Sequence, residues 1–302
     1  MLRKILTAID LTEDSKAVLE AGSKIAKAKN ATVYIVYVLE PPNVPFFDEL
    51  PTEEKEALLN LQKVLKEKAK ETLSEYKQKL EAEGLCVVPI ILQGQVVESI
   101  LEFSENNDVD LIIVKSHKKS EIEEKAIGSN SLRIASRSKI PVLVIKEDKT
   151  QYNHILVAYD FLPTSEEALK FSLDLASIYN SKVTVIHVDN DSHFTHIKSV
   201  YEKVRQHKIE KLQKLKENHP SIEVVYKEGL PEREILKFSE EKNIDLIVTG
   251  KRKDKGGKLS FIGSTSYKIL KGAKTAVLVF RSKQWKNFYY QRLFCVILHL
   301  QA

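Results

Sequence analysis

The chain of 302 residues contains one sequence pattern twice. Residues 100–105 read Ile-Leu-Glu-Phe-Ser-Glu, and residues 235–240, at an offset of 135, read Ile-Leu-Lys-Phe-Ser-Glu. Near the start of each copy, residues 5–10 (Ile-Leu-Thr-Ala-Ile-Asp) match residues 155–160 (Ile-Leu-Val-Ala-Tyr-Asp) at an offset of 150. Because self-similarity over this length marks a repeated structural unit, the sequence predicts one α/β unit present in two copies.

Short apolar runs bounded by polar turns predict buried parallel strands, and the stretches between them have helical periodicity. We expect strands near residues 4–9, 32–38, 86–91, 110–114, 142–146, 154–159, 182–188, 222–227, 245–249 and 276–281. We expect helices over residues 14–29, 52–83, 96–106, 129–138, 164–179, 197–218, 232–242 and 264–271. This alternation predicts two tandem Rossmann-like, doubly wound domains, each with a five-stranded parallel sheet flanked by helices. Ligands of such sheets bind beyond the carboxyl ends of the strands, where the strand order reverses.

The repeat also predicts the domain boundaries. The polar stretch 147–153 separates domain 1 (residues 1–148) from domain 2 (153–281), and a C-terminal extension (282–302) lies outside the repeat. A linker this short favours two units that pack together as a pseudo-dimer. The extension contains Trp285 and several other aromatic and aliphatic residues, so we expect it to dock on the body; capping a sheet edge and contacting a partner are the alternatives.

The first copy has a longer connection after its second strand, which accounts for the change of offset. The proline-rich residues 41–47 cannot be helical, and the helix predicted after them carries an apolar stripe. The stripe consists of Leu58, Leu61, Leu65, Leu73, Tyr76 and Leu80. It either covers the sheet, as a crossover helix does, or forms a partner surface.

Composition narrows the class of protein. The chain is 43% hydrophobic and 29% charged, and it contains two cysteines, Cys86 and Cys295, which favour a reducing compartment over a disulfide framework. We expect a cytoplasmic protein, because the N-terminus lacks a signal-peptide pattern and no segment reaches the ~20 apolar residues of a membrane span. The net charge of +5 divides into −3 for residues 1–150 and +8 for residues 151–302, so the second half favours an anion. Because aromatic residues do not interleave with the lysine runs, a nucleic-acid partner is not expected.

The loop after the fourth strand of the second copy carries phosphate-binding features. Thr249 and Gly250 end the strand, and Gly263, Ser264 and Thr265 open the next helix. Glycine allows the backbone to approach a ligand, and a helix start offers N–H groups and a positive dipole end. The intervening loop contains five basic residues and a Gly-Gly pair. The structural alternative is that Ser264 N-caps its helix and Gly250 relieves a tight turn.

Taken together, these residues resemble the universal stress protein family. The family pattern is Gly, two residues, Gly, nine residues, Gly, then Ser or Thr; here Gly250, Lys253, Gly263 and Ser264 keep every spacing, and only the second glycine is replaced. The resemblance covers about residues 3–146 and 154–281 and is strongest to tandem members of the family. It implies an adenine nucleotide, ATP or AMP, with Mg²⁺ left open. The implied site residues are Asp160, Val188, Thr249, Gly250, Lys253, Gly263, Ser264 and Thr265. Lys253 either reaches the distal phosphates or obstructs the pocket.

The first copy departs further from the family pattern. Lys115 and Lys118 stand at two of the three glycine positions, and three glutamates between residues 121 and 124 add negative charge where a phosphate would lie. Asp10 and Gly128-Ser129 remain, but a strand-end turn and an N-cap suffice to explain them. We therefore expect the second copy to bind the nucleotide and the first to be structural, regulatory or partner-binding.

The sequence does not predict an enzyme. Leu259 stands where a P-loop requires Ser or Thr, and no Gly-x-Gly-x-x-Gly follows the first strand of either copy. His187, His193 and His196 lack the spacing of a zinc site. No arrangement supplies a nucleophile with a base and an orienting group, although slow ATP hydrolysis stays open. The first alternative function is an interaction or dimerisation module with both pockets silent, which leaves a homodimer and an unidentified protein partner open; the second is an ATP-consuming enzyme of the same broad fold.

Overall fold

A computed structural model of the protein describes residues 2–13, 15–42, 44, 47–116, 129–190, 198–250 and 262–282. The first half contains β1 (Lys4–Ile9), α1 (Ser15–Lys29), β2 (Thr32–Leu39), a 3-10 turn (Phe47–Glu49), α2 (Thr52–Ala82), β3 (Cys86–Gln93), α3 (Val96–Asn106), β4 (Leu111–Lys115), α4 (Ser129–Arg137) and β5 (Val142–Ile145). The second half contains β6 (His154–Ala158), α5 (Pro163–Tyr179), β7 (Lys182–Asp189), α6 (Lys198–Asn218), β8 (Ile222–Glu228), α7 (Pro231–Glu241), β9 (Leu246–Gly250), α8 (Ser264–Gly272) and β10 (Ala276–Phe280). The bounds lie within two residues of those that the sequence predicts.

The strands form one continuous sheet with the order β3-β2-β1-β4-β5-β10-β9-β6-β7-β8. Within each half every neighbouring pair is parallel, so the predicted α/β fold with two five-stranded parallel sheets is confirmed. The halves join through β5 and β10, which pair antiparallel with Val144 opposite Val277. The two sheets therefore pack edge to edge.

Burial on both faces explains why the strands are nearly continuous apolar runs. One core layer lies between the sheet and helices α1, α2, α5 and α6. The other lies between the opposite face and helices α3, α4, α7 and α8. In β1, Ile5 belongs to the first layer and Leu6 to the second, as the two-residue period of a strand requires. The pairing of β5 with β10 also removes two sheet edges, whose free N–H and C=O groups would otherwise need other partners.

The antiparallel junction fixes where the functional ends of the strands lie. Since β5 and β10 run in opposite directions and each is parallel to its own half, all strands of one half run opposite to those of the other. The carboxyl ends of the strands in one half therefore point the opposite way from those in the other half, so the two sets of strand ends lie on opposite sides of the molecule.

The predicted apolar stripe on helix α2 has a buried part and an exposed part. Leu73 and Leu80 are buried against the sheet, as expected for a crossover helix. Leu61 and Leu65, near its start, are exposed, with 54% and 36% of their surface accessible. The C-terminal part of the stripe thus covers the sheet, and its N-terminal part remains open to contacts.

The predicted docking of the C-terminal extension falls almost wholly outside the described residues, which end at the buried Ser282. It therefore stays a prediction. None of the helices in the described ranges combines the length and the apolar character needed to cross a membrane.

Candidate functional site

Each half has a cavity at the carboxyl ends of its strands, between the first strand and the fourth. In the second half these strands are β6 and β9, which are neighbours although β7 follows β6 in the chain, so the strand order reverses there. The second-half cavity has a volume of about 630 Å³ and the first-half cavity about 360 Å³. Both lie where doubly wound sheets bind ligands.

The structure brings the predicted site residues together. Around the second-half cavity lie Asp160, Val188, Thr249, Gly250, Gly263, Ser264 and Thr265. They come from four places: the turn after β6, the end of β7, the end of β9 and the first turn of α8. Lys253 lies outside the described residues, so its contribution stays a prediction.

Gly250 packs closely against the start of α5, and its backbone conformation does not require glycine. Its φ is not among the positive values of the chain, so the interpretation that it relieves a tight turn is not supported. A Cβ atom at this position would lie 3.3 Å from Cγ2 of Thr164, at the start of α5. The Ser266 hydroxyl donates to the Gly250 carbonyl at 2.9 Å and lies 2.8 Å from the Thr249 hydroxyl, which ties the end of β9 to α8.

Gly263 and Ser264 form the start of α8. Gly263 is the N-cap, with φ −60° and ψ 152° and no side-chain capping bond, while Ser264 is the first helical residue. The interpretation of Ser264 as an N-cap is therefore wrong. A Cβ atom at Gly263 would have no described atom within 4 Å, so neither φ nor the described packing requires glycine here. Gly263 also lines the cavity.

Asp160 shapes the turn between β6 and α5. Its Oδ1 accepts a hydrogen bond from the Leu162 N–H at 3.2 Å, and its own N–H donates to the Ser165 hydroxyl at 3.3 Å. Phe161, which also lines the cavity, has a φ of 61°, a left-handed conformation that is rare for an aromatic residue. Leu11 has a φ of 65° at the corresponding place in the first half. The turn is thus a shared feature of both copies, and no sequence pattern predicted it.

His187 lies beside this turn and is buried, with only 7% of its surface accessible. Its Nδ1 lies 2.8 Å from the Tyr159 carbonyl, which can only accept, so Nδ1 carries the proton. Burial lowers the pKa of His187 because the charged ring would lose its hydration. The neutral ring stacks near Phe161, with 4.6 Å between ring centroids. Among the described residues no group of histidine, cysteine or acidic side chains could hold a metal ion; His193 and His196 lie outside them.

A polar cluster at the end of β7 was not predicted from the sequence. The Asp189 carboxylate is buried, and the ammonium of Lys208 on α6 donates to both of its oxygens at 2.9 and 3.0 Å. The Tyr226 hydroxyl donates to the same carboxylate at 2.8 Å. Asp189 and Lys208 both line the second-half cavity. The one sequence signal was an acidic residue at the end of a largely apolar strand.

The first-half cavity is built on the same elements with different side chains. Lys115 stands at the position of Gly250, lines the cavity and forms an ion pair with Asp148. Asp10 accepts hydrogen bonds at Oδ1 from the Thr12 N–H, the Thr12 hydroxyl and the Ser15 hydroxyl, at 3.1, 2.7 and 3.1 Å. Lys118, Gly128 and the loop glutamates lie outside the described residues.

Comparison with known proteins agrees with this architecture. A model of the universal stress protein family matches residues 1–146 and 151–281, which together make up most of the chain. The chain belongs to the universal stress protein family. Both halves match the family model, which agrees with a tandem arrangement of two family domains.

Three relatives describe the range of similarity. A universal stress protein of Methanocaldococcus jannaschii is 30% identical over 151 residues, which cover 50% of this chain and 86% of the relative. A universal stress protein of Mycolicibacterium smegmatis is 22% identical over 92% of this chain and 97% of its own length. The crystal structure of a universal stress protein from Archaeoglobus fulgidus superposes with a TM-score of 0.67 and 26% identity, covering 92% of this chain and 98% of that one. Two-domain relatives of similar length therefore exist in sequence and in structure.

Proposed function

We propose that this protein is a cytoplasmic stress-response protein whose second half binds an adenine nucleotide, ATP or AMP. Support comes from the family and from the cavity at the strand-order reversal, where Asp160, Gly250 and the start of α8 lie together. In this proposal Asp160 and Val188 hold the adenosine. Thr249, Gly250 and the first turn of α8, with Lys253 from the adjoining loop, hold the phosphates.

The observation that carries the proposal is Gly263. Neither φ nor any described atom requires a glycine there, and Gly263 lines the cavity. A glycine that neither packing nor φ demands is explained when a ligand takes the space. The first-turn N–H groups of α8 and the positive end of its dipole favour an anion in that space. The charge of +8 on residues 151–302 acts in the same direction.

We propose that the chain divides into domains at residues 1–148 and 153–281 and that the first domain is structural or regulatory. Lys115 lines its cavity where the second half has Gly250, so a long charged side chain stands at a position where the proposal needs glycine. In this proposal residues 282–302 form a separate C-terminal extension.

The proposed activity is binding and not catalysis. Around the second-half cavity, the hydroxyls of Thr249 and Ser266 bond to each other and that of Ser266 donates to the Gly250 carbonyl, so the described contacts of these two hydroxyls do not include a base. A Mg²⁺ ion that accompanies ATP would be held largely by the phosphates. Slow hydrolysis by a bound water is a separate question, which a phosphate-release assay addresses.

The test is to purify the full chain without added nucleotide, analyse the released small molecules by mass spectrometry, and titrate the stripped protein with ATP and AMP by calorimetry. We expect one adenine nucleotide per chain. Two equal sites per chain would contradict the division of roles, and no binding of either nucleotide would refute the proposal.

A second candidate function is an interaction module. It is favoured by exposed apolar residues on the N-terminal part of α2: Leu59, Leu61, Val64 and Leu65. Such a surface suits a protein partner or a homodimer. Sedimentation of the stripped protein over a range of concentrations separates the functions: a homodimer that forms without nucleotide and is lost on Leu61→Glu would favour this candidate.

A further inference from the structure

Each half of the molecule places a cation at the end of a helix in the other half. The Lys146 ammonium, just after β5, donates to the carbonyl oxygen of Leu270 at 2.6 Å and also to that of Ala273, at the C-terminus of α8. The Arg281 guanidinium, just after β10, donates from Nη1 to the carbonyl oxygen of Ser138 at 2.9 Å, at the C-terminus of α4. The two contacts cross the junction in opposite directions.

The residues that make these two contacts occupy equivalent positions in the repeat. Lys146 and Arg281 are 135 residues apart, as are Ser138 and Ala273. The Ser138 N–H donates to the carbonyl four residues earlier at 2.8 Å, and the Ala273 N–H does the same at 2.9 Å. Helices α4 and α8 also contact each other across the junction. The junction therefore has approximate two-fold symmetry down to single hydrogen bonds.

The physical reason for such a cation is general. The last carbonyl groups of a helix have no partner within the helix, and they carry the negative end of its dipole. Leu270 and Ala273 are buried, so water cannot readily replace the ammonium at their carbonyl groups. Burial lowers the pKa of Lys146 to about 8, because the ammonium loses hydration. Both protonation states keep at least two N–H donors for the two carbonyls.

The position of α8 connects this contact to the cavity. Helix α8 spans only Ser264–Gly272; its first turn lines the second-half cavity, while its other end is held by Lys146 of the first half. Helix α4 has the same relation to the first-half cavity, which Asn130 and Ser131 line, and its far end is held by Arg281.

We propose that Lys146 is a positioning residue for the second-half site: it anchors the C-terminus of α8 and so fixes the first turn of α8 against the bound anion. This inference rests on the proposed function and extends it, because it gives the first half a defined role in ligand binding by the second. Arg281 does the same for α4 and has no effect on the second-half cavity.

The test compares full-length wild type with Lys146→Met, Lys146→Arg and Arg281→Met. Calorimetry with ATP should show a Kd raised ~3–10-fold by Lys146→Met and largely restored by Lys146→Arg, which keeps donors for the carbonyls. Arg281→Met is the matched control, since it removes the equivalent contact; it should lower the melting temperature similarly and leave the ATP Kd within about twofold of wild type. Equal weakening by both methionine variants, or none by Lys146→Met, would overturn the inference.

Amide hydrogen exchange supplies a readout without nucleotide. Lys146→Met should accelerate exchange in residues 264–272 more than in residues 129–137, and Arg281→Met should do the reverse. If wild type binds no ATP, the proposed function fails, and the exchange pattern alone decides whether Lys146 positions α8. Unchanged exchange in residues 264–272 of Lys146→Met would then overturn the inference.

Discussion

The two cavities occupy equivalent places in the repeat, yet different residues are buried at the strand ends beside them. At the end of β2 the first half buries Leu39, whose carbonyl accepts the Gly94 N–H; at the end of β7 the second half buries Asp189, whose carbonyl accepts the Gly229 N–H. In the same strand pairs, Ile91 lies opposite Tyr37 in the first half and Tyr226 lies opposite His187 in the second.

This difference distinguishes residues that the fold requires from residues that serve a bound ligand. Leu39 is an apolar residue buried at the equivalent position, so the fold is satisfied without charge there. A buried carboxylate with its ammonium costs desolvation that leucine does not. Asp189 and Lys208 line the larger cavity. The desolvation cost of the ion pair is therefore incurred in the half for which a ligand is proposed, and the other half avoids it. One chain thus contains its own control for which polar residues the fold needs.

The largest expected effect tests the glycine contrast between the two cavities. Gly263→Val places a branched side chain into the open space beside the first turn of α8, so we expect ATP binding to weaken by at least ~100-fold, about 2.8 kcal/mol. Gly128→Val, at the equivalent position of the first copy, is the matched control and should leave ATP affinity unchanged. Calorimetric titration measures both, and equal losses would erase the proposed asymmetry.

The next effect concerns the two aspartates that end the first strand of each half. Asp160→Ala should weaken nucleotide binding by about 1–3 kcal/mol, the cost of losing a buried polar contact, whereas Asp10→Ala should not affect it. Asp160→Asn keeps an oxygen acceptor for the Leu162 N–H and so controls for damage to the turn. A fluorescent-nucleotide competition assay gives the affinities. Unchanged binding by Asp160→Ala would remove this residue from the site.

A smaller effect distinguishes the two roles of Lys253. If its ammonium meets the β- or γ-phosphate, Lys253→Gly should weaken ATP by ~3–10-fold and leave AMP unaffected, because AMP lacks those phosphates. Lys118→Gly in the first half is the control. Tighter binding of both nucleotides to Lys253→Gly would show that the side chain obstructs the pocket.

The smallest effect is a pH dependence that only the second half contributes. His187 stands where the first half has Tyr37, and its pKa is lowered from 6.5 by burial. The unfolded chain therefore takes up a proton that the folded chain excludes, and stability falls as the pH drops below 6.5 through the folded-state pKa. As the pH is lowered from neutral to acid, the melting temperature of wild type should fall more than that of His187→Phe. A constant difference would contradict this assignment.

The fold was predictable because each strand is a short apolar run and each helix has clear periodicity, repeated in two copies. The clustering of Asp160, Gly250 and Gly263 followed as well, since the carboxyl ends of neighbouring parallel strands meet at one edge. The spacing of the loop located Gly250 and Gly263, and the resemblance to the family located Asp160. Their role in binding stays a prediction.

Other features depend on contacts distant in sequence. The pairing of β5 with β10 was hidden, because both strands are wholly buried and carry no pattern that names a partner. The left-handed Phe161 contradicts local propensity, and only the turn around Asp160 explains it. The Lys146 and Arg281 contacts did have a signal, a basic residue directly after the last strand of both copies, but its meaning required the antiparallel junction.

The antiparallel junction also determines how the molecule responds to dilution. Two separate domains that met through these edges would associate with a midpoint set by their concentration, and two unlike domains would also form mixed and like pairs. Because a short polar segment joins the two halves, β5 and β10 meet in a unimolecular step at a high effective concentration. Every molecule therefore contains one half of each kind, at any abundance in the cell. That fixed pairing lets one copy lose a ligand site while the other retains it, without a population of inactive like pairs.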